Sequence, residues 1–175
     1  MTAVLYFSRA DENLINGKPE KLTKGNTQIV AEKIALKLGC QSYCIEPAVP
    51  YPNNYQDTVG RAKKEKNSQY YPELKEISLD LSQEKNIFLG FPNWWGTYPR
   101  VIASFLRDYS MDGKMIYPFC THEGSAFGNS LADLKKTCPK SVIQTGLSVQ
   151  GSRVAKSDEA VKNWLCQYYC NQKDI

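Results

Sequence analysis

Long apolar runs and export signals are both missing from this sequence. No segment of the 175 residues approaches the roughly 18 consecutive apolar positions that a membrane-spanning helix needs. The first nine residues, Met1–Arg9, lack the basic start and the longer apolar run of a secretory signal. We therefore expect no association with a membrane and a cytoplasmic location.

Metal-binding motifs are missing too. The chain has six cysteines, but no two of them stand in C-x-x-C spacing, and His122 is the only histidine. A zinc site needs several such ligands that converge, so we predict no metal site. A chain of this length can bury a core of its own, and without an export signal we expect the cysteines to be free thiols. One domain over residues 1–175 is expected.

A strong excess of one charge is also absent. The 22 lysines and arginines outnumber the 18 aspartates and glutamates by only four. The basic residues at 18–24 and 61–66 have acidic neighbours, Glu20 and Glu65, which is typical of a solvated surface. We predict no nucleic-acid partner.

Short apolar runs alternate along the chain with helical patterns. The apolar runs predict strands over Ala3–Phe7, Gln41–Glu46, Asn86–Gly90, Lys114–Cys120 and Ser141–Thr145. The amphipathic patterns predict helices over Asn26–Leu38, Tyr55–Lys66, Pro99–Leu106, Ser125–Thr137 and Ser157–Cys170. This alternation favours an α/β fold with a five-stranded parallel sheet and helices on both faces. In such sheets, ligands bind at the carboxyl ends of the strands.

A candidate phosphate site follows the first strand. Ser8 comes directly after the strand, and Asn26 and Thr27 open the first helix behind Gly25. A helix N-terminus offers free N–H groups and a partial positive charge, which suits a phosphate, although these residue types are also ordinary helix caps. No G-K-S/T sequence follows the glycine, and no G-x-G-x-x-G is present there, so neither a P-loop nor the dinucleotide fingerprint is indicated.

Two adjacent tryptophans follow the third strand. Trp94 and Trp95 lie between Pro92 and Gly96, and two neighbouring indoles in one loop cannot both point inward easily. Core packing is the alternative, but a wall for a flat heteroaromatic ligand is favoured because an indole face stacks well on such a ring. Gly96 would let the backbone approach that ring.

The loop after the fourth strand carries the pair His122 and Glu123. Its backbone amides could donate to an electron-rich ring edge, and Gly124 and Gly128 permit the tight path that this requires. His122 is either a proton donor or a loop residue bonded through its backbone. No Ser-His-Asp set is apparent, and Ser125 does not stand in a G-x-S-x-G elbow, so we assign no catalytic residue.

Together, the three loops resemble the flavodoxin family, in particular its bacterial flavodoxin-like, FMN-binding members. The resemblance rests on Ser8…Gly25-Asn26-Thr27, on Gly90–Gly96 and on Thr121–Gly128. It implies a doubly wound flavodoxin-like sheet of strand order 2-1-3-4-5 and FMN as the cofactor. It also implies that the phosphate is held by Ser8, Arg9, Asn26 and Thr27. It implies that the flavin ring is flanked near N5 by Pro92, Asn93, Trp94, Trp95 and Gly96. The pyrimidine side of the ring would then meet Thr121, His122, Glu123, Gly124 and Gly128.

Three features depart from the family pattern. The segment Ala10–Lys24 interrupts the phosphate loop, which family members usually run without interruption. The tyrosine that often stacks on the outer flavin face has no clear counterpart, and Tyr98 or Phe127 could serve instead. The net charge is mildly positive, whereas electron carriers of the family are usually strongly acidic.

The resemblance favours electron transfer through non-covalently bound FMN, with a redox partner protein. One alternative is an FMN-dependent NAD(P)H:quinone-type oxidoreductase, for which NAD(P)H and a quinone-like molecule would be the small-molecule partners. Another is a non-redox binding module that has lost the flavin, since a fold alone does not fix a function.

Overall fold

The computed structural model describes residues 1–173 and contains two separate β-sheets. The strands are β1 (Thr2–Tyr6), β2 (Asp11–Ile15), β3 (Lys18–Leu22), β4 (Ser42–Cys44), β5 (Asn86–Pro92), β6 (Met115–His122), β7 (Val142–Ile143) and β8 (Leu147–Gln150). The helices are α1 (Asn26–Leu38), α2 (Tyr55–Asn67), α3 (Arg100–Asp108), α4 (Ser130–Thr137) and α5 (Asp158–Lys173). The predicted domain includes residues 174 and 175, which lie outside the described part. Within that part, no helix is long and apolar enough to cross a membrane.

The larger sheet is parallel and runs in the order β4-β1-β5-β6, with β7 and β8 together in the fifth position beside β6. Counting the parallel strands along the chain, this is the predicted order 2-1-3-4-5. Two apolar clusters cover its two faces, because alternate strand residues point to opposite sides. Leu5 packs on the side of α3 and Val4 on the side of α1 and α5. The predicted fold class is confirmed.

The fifth strand is only partly where the sequence placed it. The prediction was one strand over Ser141–Thr145, but the structure has the two-residue β7, a break, and then β8 along the end of β6. The carbonyl of Thr145 accepts a hydrogen bond from Trp164 Nε1 at 2.7 Å, so α5 rather than a strand satisfies it. Gly146 lies against the Phe127 ring, where a Cβ would come within 2.5 Å. These contacts divert the chain between the two short strands.

Helix α4 begins five residues later than predicted, at Ser130 instead of Ser125. Ala126 and Gly128 have φ angles of 47° and 52°, which a right-handed helix does not allow. The N–H of Asn129 donates to the carbonyl of Gly96 at 2.7 Å instead of joining the helix. The other predicted elements agree with the structure to within three residues at each end.

The segment that interrupts the first loop forms an antiparallel hairpin, β2–β3, for which the sequence analysis predicted no regular structure. Its two-residue turn is Asn16-Gly17, with φ angles of 50° and 78°. Positive φ at both positions belongs to the type I′ turn, which favours Asn-Gly because both residues tolerate this conformation. The hairpin forms its own sheet and pairs with no strand of the larger one.

Candidate functional site

A cavity of about 380 Å³ opens where β1, β5 and β6 end, at the carboxyl edge of the larger sheet. Its volume falls within the range of about 300–1,000 Å³ that small-molecule sites occupy. Eleven of the predicted site residues line it: Ser8, Arg9, Asn26, Thr27, Pro92, Asn93, Trp94, Thr121, His122, Glu123 and Gly124. Four further lining residues were not predicted: Asn13, Leu14, Tyr55 and Ser125. The structure therefore brings the three loops together around one space.

One end of the cavity is formed by the start of α1. Ser8 Oγ accepts a hydrogen bond from the N–H of Gln28 at 3.1 Å. A Cβ on Gly25 would lie 2.2 Å from Ser8 Oγ and 2.5 Å from the carbonyl oxygen of Arg9, so only glycine lets the loop come this close to the helix. The first turn of α1 carries no acidic residue, and its N-cap residue, Gly25, makes no side-chain cap, so Ser8 is the side chain that accepts from this turn. The Ser8 hydroxyl is uncharged, so the partial positive charge of this helix start can still attract an anion.

The floor between α1 and β6 is made by two threonines. Thr27 and Thr121 are both buried, and their hydroxyl oxygens are 2.7 Å apart. One hydroxyl donates its hydrogen to the other, which keeps its own hydrogen for a further bond. The pair can thus offer one O–H donor to a ligand in the cavity.

Arg9 holds the backbone around the cavity mouth. Its guanidinium donates to the carbonyls of Pro52 at 3.0 Å, of Asn53 at 2.6 Å and of Glu12. Burial lowers the pKa of Arg9, and the neighbouring Asp11 and Glu12 oppose that shift. Three N–H donors of the guanidinium are thus used for loop carbonyls. That its remaining N–H donors contact a phosphate stays a prediction.

The two tryptophans point in different directions. The Trp94 ring packs edge-on against Phe7 and Tyr51, with ring centroids 5.3 and 4.9 Å apart, and it also lines the cavity. Trp95 is 44% exposed, and its Nε1 donates to the carbonyl of Val59 in α2 at 3.2 Å. It lies outside the cavity, in a neighbouring groove of about 280 Å³. Only Trp94 forms part of the cavity wall.

A tight turn causes this divergence. Trp94 and Thr97 exchange backbone hydrogen bonds at 2.9 and 3.3 Å, which leaves Trp95-Gly96 as a two-residue turn. Their φ angles are 55° and 80°. A bulky residue at positive φ costs about 1–3 kcal/mol, and such strain occurs mostly at functional sites. Gly96 supplies the conformation that the second position of the turn needs.

Gly96 and Gly128 do not line the cavity but hold two of its loops together. A Cβ on Gly128 would lie 2.4 Å from the carbonyl oxygen of Gly96, so the two backbones are in direct contact. With Trp95, they are the three predicted site residues that the structure leaves outside the wall. Their predicted contacts with a ring stay predictions.

Asn93 carries an unpaired acceptor. Its Nδ2 donates to the carbonyl of Ala126 at 2.7 Å and to Ser125 Oγ at 3.1 Å, which fixes the orientation of the amide. Its Oδ1 is buried and has no hydrogen-bond partner among the described residues. A buried acceptor without a partner costs about 1–3 kcal/mol, and because Asn93 lines the cavity, its Oδ1 is suited to a donor from a ligand.

His122 is held as a neutral imidazole. Its Nδ1 accepts a hydrogen bond from the N–H of Gly124 at 2.9 Å, which places the ring hydrogen on Nε2. Burial lowers the pKa of His122, and the nearby Glu123 only partly opposes this. Nε2 is therefore a hydrogen-bond donor near neutral pH, and this geometry favours a binding role over proton transfer.

Glu123 lies near the start of α1. Its Oε2 accepts a hydrogen bond from the N–H of Asn16, in the turn of the hairpin, at 2.9 Å. A Cβ on Gly151 would lie 2.2 Å from Glu123 Oε1 and 2.6 Å from Asn26 Nδ2, so the carboxylate and the amide lie side by side. The resemblance to the flavodoxin family implies that Glu123 meets the pyrimidine side of a flavin. The structure places its carboxylate beside Asn26 instead, and the ring contact stays a prediction.

The aromatic residues suggested for the outer face of a ring lie elsewhere. Tyr98 is 7% exposed, with its hydroxyl 2.9 Å from that of Thr137, and Phe127 packs against Phe91. Tyr55, the first residue of α2, lines the cavity in their place. A tyrosine at the very start of a helix that follows a strand end is a signal that could have found it.

Comparisons with known proteins found a family and several solved structures that the chain resembles. A family model described as flavodoxin matches residues 22–168 of the chain. A candidate flavoprotein from Bacteroides eggerthii is 30% identical over 94% of each chain, with a TM-score of 0.75. Another, from Bacteroides uniformis, is 28% identical over 94% of this chain and 96% of that chain, also with a TM-score of 0.75.

A third structure is a more distant neighbour. It is a flavoprotein in complex with FMN from Lactobacillus acidophilus, 18% identical, with a TM-score of 0.64 over 89% of this chain and 96% of that chain. At this identity, the likeness shows the fold alone. No curated protein matches the chain.

Proposed function

The chain belongs to the flavodoxin family, and from that premise we propose that it is a redox protein that binds FMN without a covalent link and transfers electrons through it. One observation carries the proposal. One cavity has at one end the start of α1, which is suited to an anion. The rest of its lining includes the aromatic ring of Trp94 and the unpaired acceptor Asn93 Oδ1. FMN combines a terminal phosphate with a flat ring that bears N–H groups, so it matches both kinds of partner.

The phosphate belongs at the start of α1. The free N–H groups of the first turn, the hydroxyl of Ser8 and the spare hydroxyl hydrogen of the Thr27–Thr121 pair are suited to phosphate oxygens. The complex of the Lactobacillus acidophilus flavoprotein with FMN supports this choice of ligand at the level of the fold.

The ring belongs between the tryptophan loop and the loop after β6. Trp94 and Tyr55 offer aromatic surface, Asn93 Oδ1 accepts from a ring N–H, and His122 Nε2–H donates to a ring oxygen or nitrogen. When bound, the flavin supplies the chemistry, because its ring takes up and releases electrons. The aromatic part of the wall solvates charge poorly, so we expect the protein to oppose negative charge on the ring and thereby lower its reduction potential.

A second candidate function is an FMN-dependent NAD(P)H:quinone-type oxidoreductase. The observation that favours it is the groove beside the cavity, which shares Asn93, Trp94 and Tyr55 with the cavity and adds Val59 and Trp95. A planar acceptor that enters this groove would meet aromatic surface next to the proposed ring position. Electron transfer to a protein partner needs no such groove.

Flavin binding and reduction by NADPH test the two functions in turn. The purified chain, stripped of any flavin, is titrated with FMN, and binding is followed by flavin absorbance and fluorescence. A chain that takes up no FMN would refute both redox functions and leave a binding module without flavin. The loaded protein is then mixed with NADPH without oxygen in a stopped-flow instrument. Rapid bleaching of the flavin supports the oxidoreductase, whereas reduction only by a protein or chemical reductant supports the carrier.

A further inference from the structure

An exposed tryptophan lies beside the proposed position of the flavin ring. Trp95 is 44% exposed, and it borders the groove that shares Asn93 and Trp94 with the cavity. Its position is fixed, because its Nε1 donates to the carbonyl of Val59 and its backbone has a φ of 55°. That conformation is unfavourable for a bulky residue, so the fold holds an indole at the surface at a cost in free energy.

Two lysines of α2 lie against this tryptophan. The ammonium of Lys63 is 5.1 Å from the centroid of the Trp95 ring, and that of Lys66 donates a hydrogen bond to the carbonyl of Trp95. Both lysines are exposed, and neither forms an ion pair with another residue in the range 1–173. Their positive charge is therefore available to a molecule that approaches Trp95.

The nearest carboxylate in the sequence does not neutralise these lysines at the surface. Glu65 is only 6% exposed, and its oxygens accept from the hydroxyl of Tyr51 and from Nε of Arg61. The segments 61–72 and 91–107 contain six lysines and arginines, and Glu65 is their single acidic residue. The surface that these segments form together is therefore basic, although Glu65 lies within its basic run.

The basic surface continues past the end of α2. The guanidinium of Arg100 donates to the carbonyls of Gln69 at 2.9 Å and Tyr70 at 2.7 Å, and it lies 4.1 Å from the centroid of the Tyr71 ring. The N–H of Gln69 donates to the carbonyl of Lys66 at 3.2 Å, so this group adjoins the lysine pair. Tyr70 and Tyr71 are 55% and 41% exposed. Cations and exposed aromatic rings thus share one surface.

We propose that this surface is the docking site for an acidic electron-transfer protein, which exchanges electrons with the flavin. The proposal rests on FMN binding and electron transfer as proposed above. In the exchange, electrons pass one at a time from the reduced flavin to a metal centre of the partner, so the flavin is oxidised as the metal is reduced. The site, here called the basic aromatic patch, consists of Lys63, Lys66, Tyr70, Tyr71, Trp95 and Arg100.

The composition of the basic aromatic patch favours a protein over a small anion. Tryptophan, tyrosine and arginine are the residue types that contribute most to binding between proteins. A small anion would use the lysines but not three aromatic rings. Electron-transfer complexes bury less than about 1,200 Å², so a patch of this size is sufficient. Its positive charge attracts a carboxylate-rich surface and directs it to the edge of the groove.

Native and succinylated cytochrome c test the sign of the charge. Both carry the same haem, but the native surface is basic, and succinylation of its lysines makes it acidic. The FMN-loaded chain is photoreduced without oxygen and mixed with each form in a stopped-flow instrument, where two haem irons are reduced for each flavin oxidised. At about 10 mM ionic strength, the acidic form should react at least about tenfold faster, and about 0.5 M salt should remove most of the difference. Equal rates, or a faster reaction of the basic form, would overturn the patch.

Two double variants separate the basic aromatic patch from the overall charge. Lys63→Gln with Lys66→Gln removes both charges beside Trp95, and the reduction of succinylated cytochrome c should slow by about fivefold. Lys37→Gln with Lys162→Gln removes the same charge from α1 and α5, which cover the face of the sheet away from α3. This control should stay within about twofold of the parent rate. Equal losses in the two variants would assign the effect to net charge and overturn the patch.

Ferricyanide, a small anion, tests the role of the aromatic surface. Trp95→Ala should slow the reduction of succinylated cytochrome c by about threefold and leave the reduction of ferricyanide unchanged, because only a protein contacts the indole. If the double variant of Lys63 and Lys66 slows ferricyanide while Trp95→Ala slows neither acceptor, the lysines serve a small anion. Docking of a protein is then overturned.

Carbodiimide cross-linking tests docking on the flavin-free chain. The reagent joins a lysine Nζ to a contacting carboxylate as an amide, with loss of water, and succinylated cytochrome c has no free lysine of its own. Mass spectrometry should find the amide at Lys63 or Lys66, and cross-links spread over all lysines would overturn the patch. A chain that cross-links there but takes up no FMN would overturn the proposed function instead, so the two failures are distinguishable.

Discussion

Replacing Gly25 by alanine tests how closely the first loop must approach α1. The backbone angles of Gly25 are φ −67° and ψ 146°, which alanine adopts without strain, so the effect of the substitution comes from contact alone. The added Cβ would lie 2.2 Å from Ser8 Oγ, 2.5 Å from the carbonyl oxygen of Arg9 and 2.8 Å from its carbonyl carbon. Two of these three atoms belong to the backbone and cannot rotate away.

The expected loss of stability follows from two opposing terms. Overpacking of this kind costs about 1–3 kcal/mol, and backbone contacts at these distances place it near 3. Alanine also lowers the conformational entropy of the unfolded chain, which stabilises the folded protein by about 0.4–1 kcal/mol. The net destabilisation is about 2 kcal/mol, and at about 2–4 °C for each kcal/mol the melting temperature should fall by about 4–8 °C. If the loop instead moves away from α1, the affinity for FMN falls with it.

Gly60→Ala is the matched control. Gly60 lies within α2, and a Cβ added there would have no atom within 4 Å apart from its chain neighbours and the backbone of its own helix. Alanine in a helix interior is better than glycine by about 0.5–1 kcal/mol, so this variant should be more stable than the parent. Urea unfolding and thermal melting of the flavin-free proteins measure both changes. A Gly25→Ala protein as stable as the parent, with unchanged affinity for FMN, would refute the close approach.

Three further predictions concern the wall of the cavity and the core behind it. Trp94→Ala should weaken FMN binding by about tenfold or more, and Trp95→Ala by much less, because only Trp94 lines the cavity; equal effects in a fluorescence titration would contradict this assignment. The pKa of the single histidine, His122, measured by NMR, should lie below its ordinary value of about 6.5. The unfolded state then binds more protons than the folded state, so the free energy of unfolding should fall as the pH drops through about 6.5 and level off below the pKa of the folded protein. An NMR titration midpoint of His122 at or above about 6.5 would rule this out. Glu65→Ala should destabilise the protein by about 3 kcal/mol in urea unfolding, because it leaves a buried tyrosine hydroxyl and an arginine without their carboxylate. Lys140→Ala breaks an exposed ion pair and should cost less than about 1 kcal/mol, so similar losses in the two variants would contradict the reasoning.

The strand order was predictable because each buried strand is a short apolar run that a helix follows. Helix α1 has the predicted bounds for local reasons: apolar residues recur on one face, and Gly39, at φ 64°, ends the helix in the left-handed conformation. The break between β7 and β8 was not predictable in this way. It depends on the bond from Trp164 to the Thr145 carbonyl, between residues far apart in the chain.

The site was predictable as a set of loops but not in its details. Strand ends and turn residues located the cavity, since the carboxyl ends of neighbouring parallel strands meet at one edge. The directions of the two indoles depend on the tight turn at Trp95-Gly96, and local composition does not specify it. The hairpin did leave a signal, because Asn16-Gly17 is the dipeptide that type I′ turns prefer. The charged residues of β3 concealed it, since they lack the alternation expected of a strand.

The interrupted fifth strand also affects how the protein behaves in a crowded solution. An exposed sheet edge with a long row of unpaired N–H and C=O groups can recruit another chain and start aggregation. In the larger sheet the edge strands are only two to four residues long: β4 on one side, β7 and β8 on the other. A second molecule therefore finds too short a row of backbone groups on either side to extend the sheet. Although Val142 is 57% exposed at this edge, the break that follows β7 limits the apolar surface that a misfolding partner could use as a template.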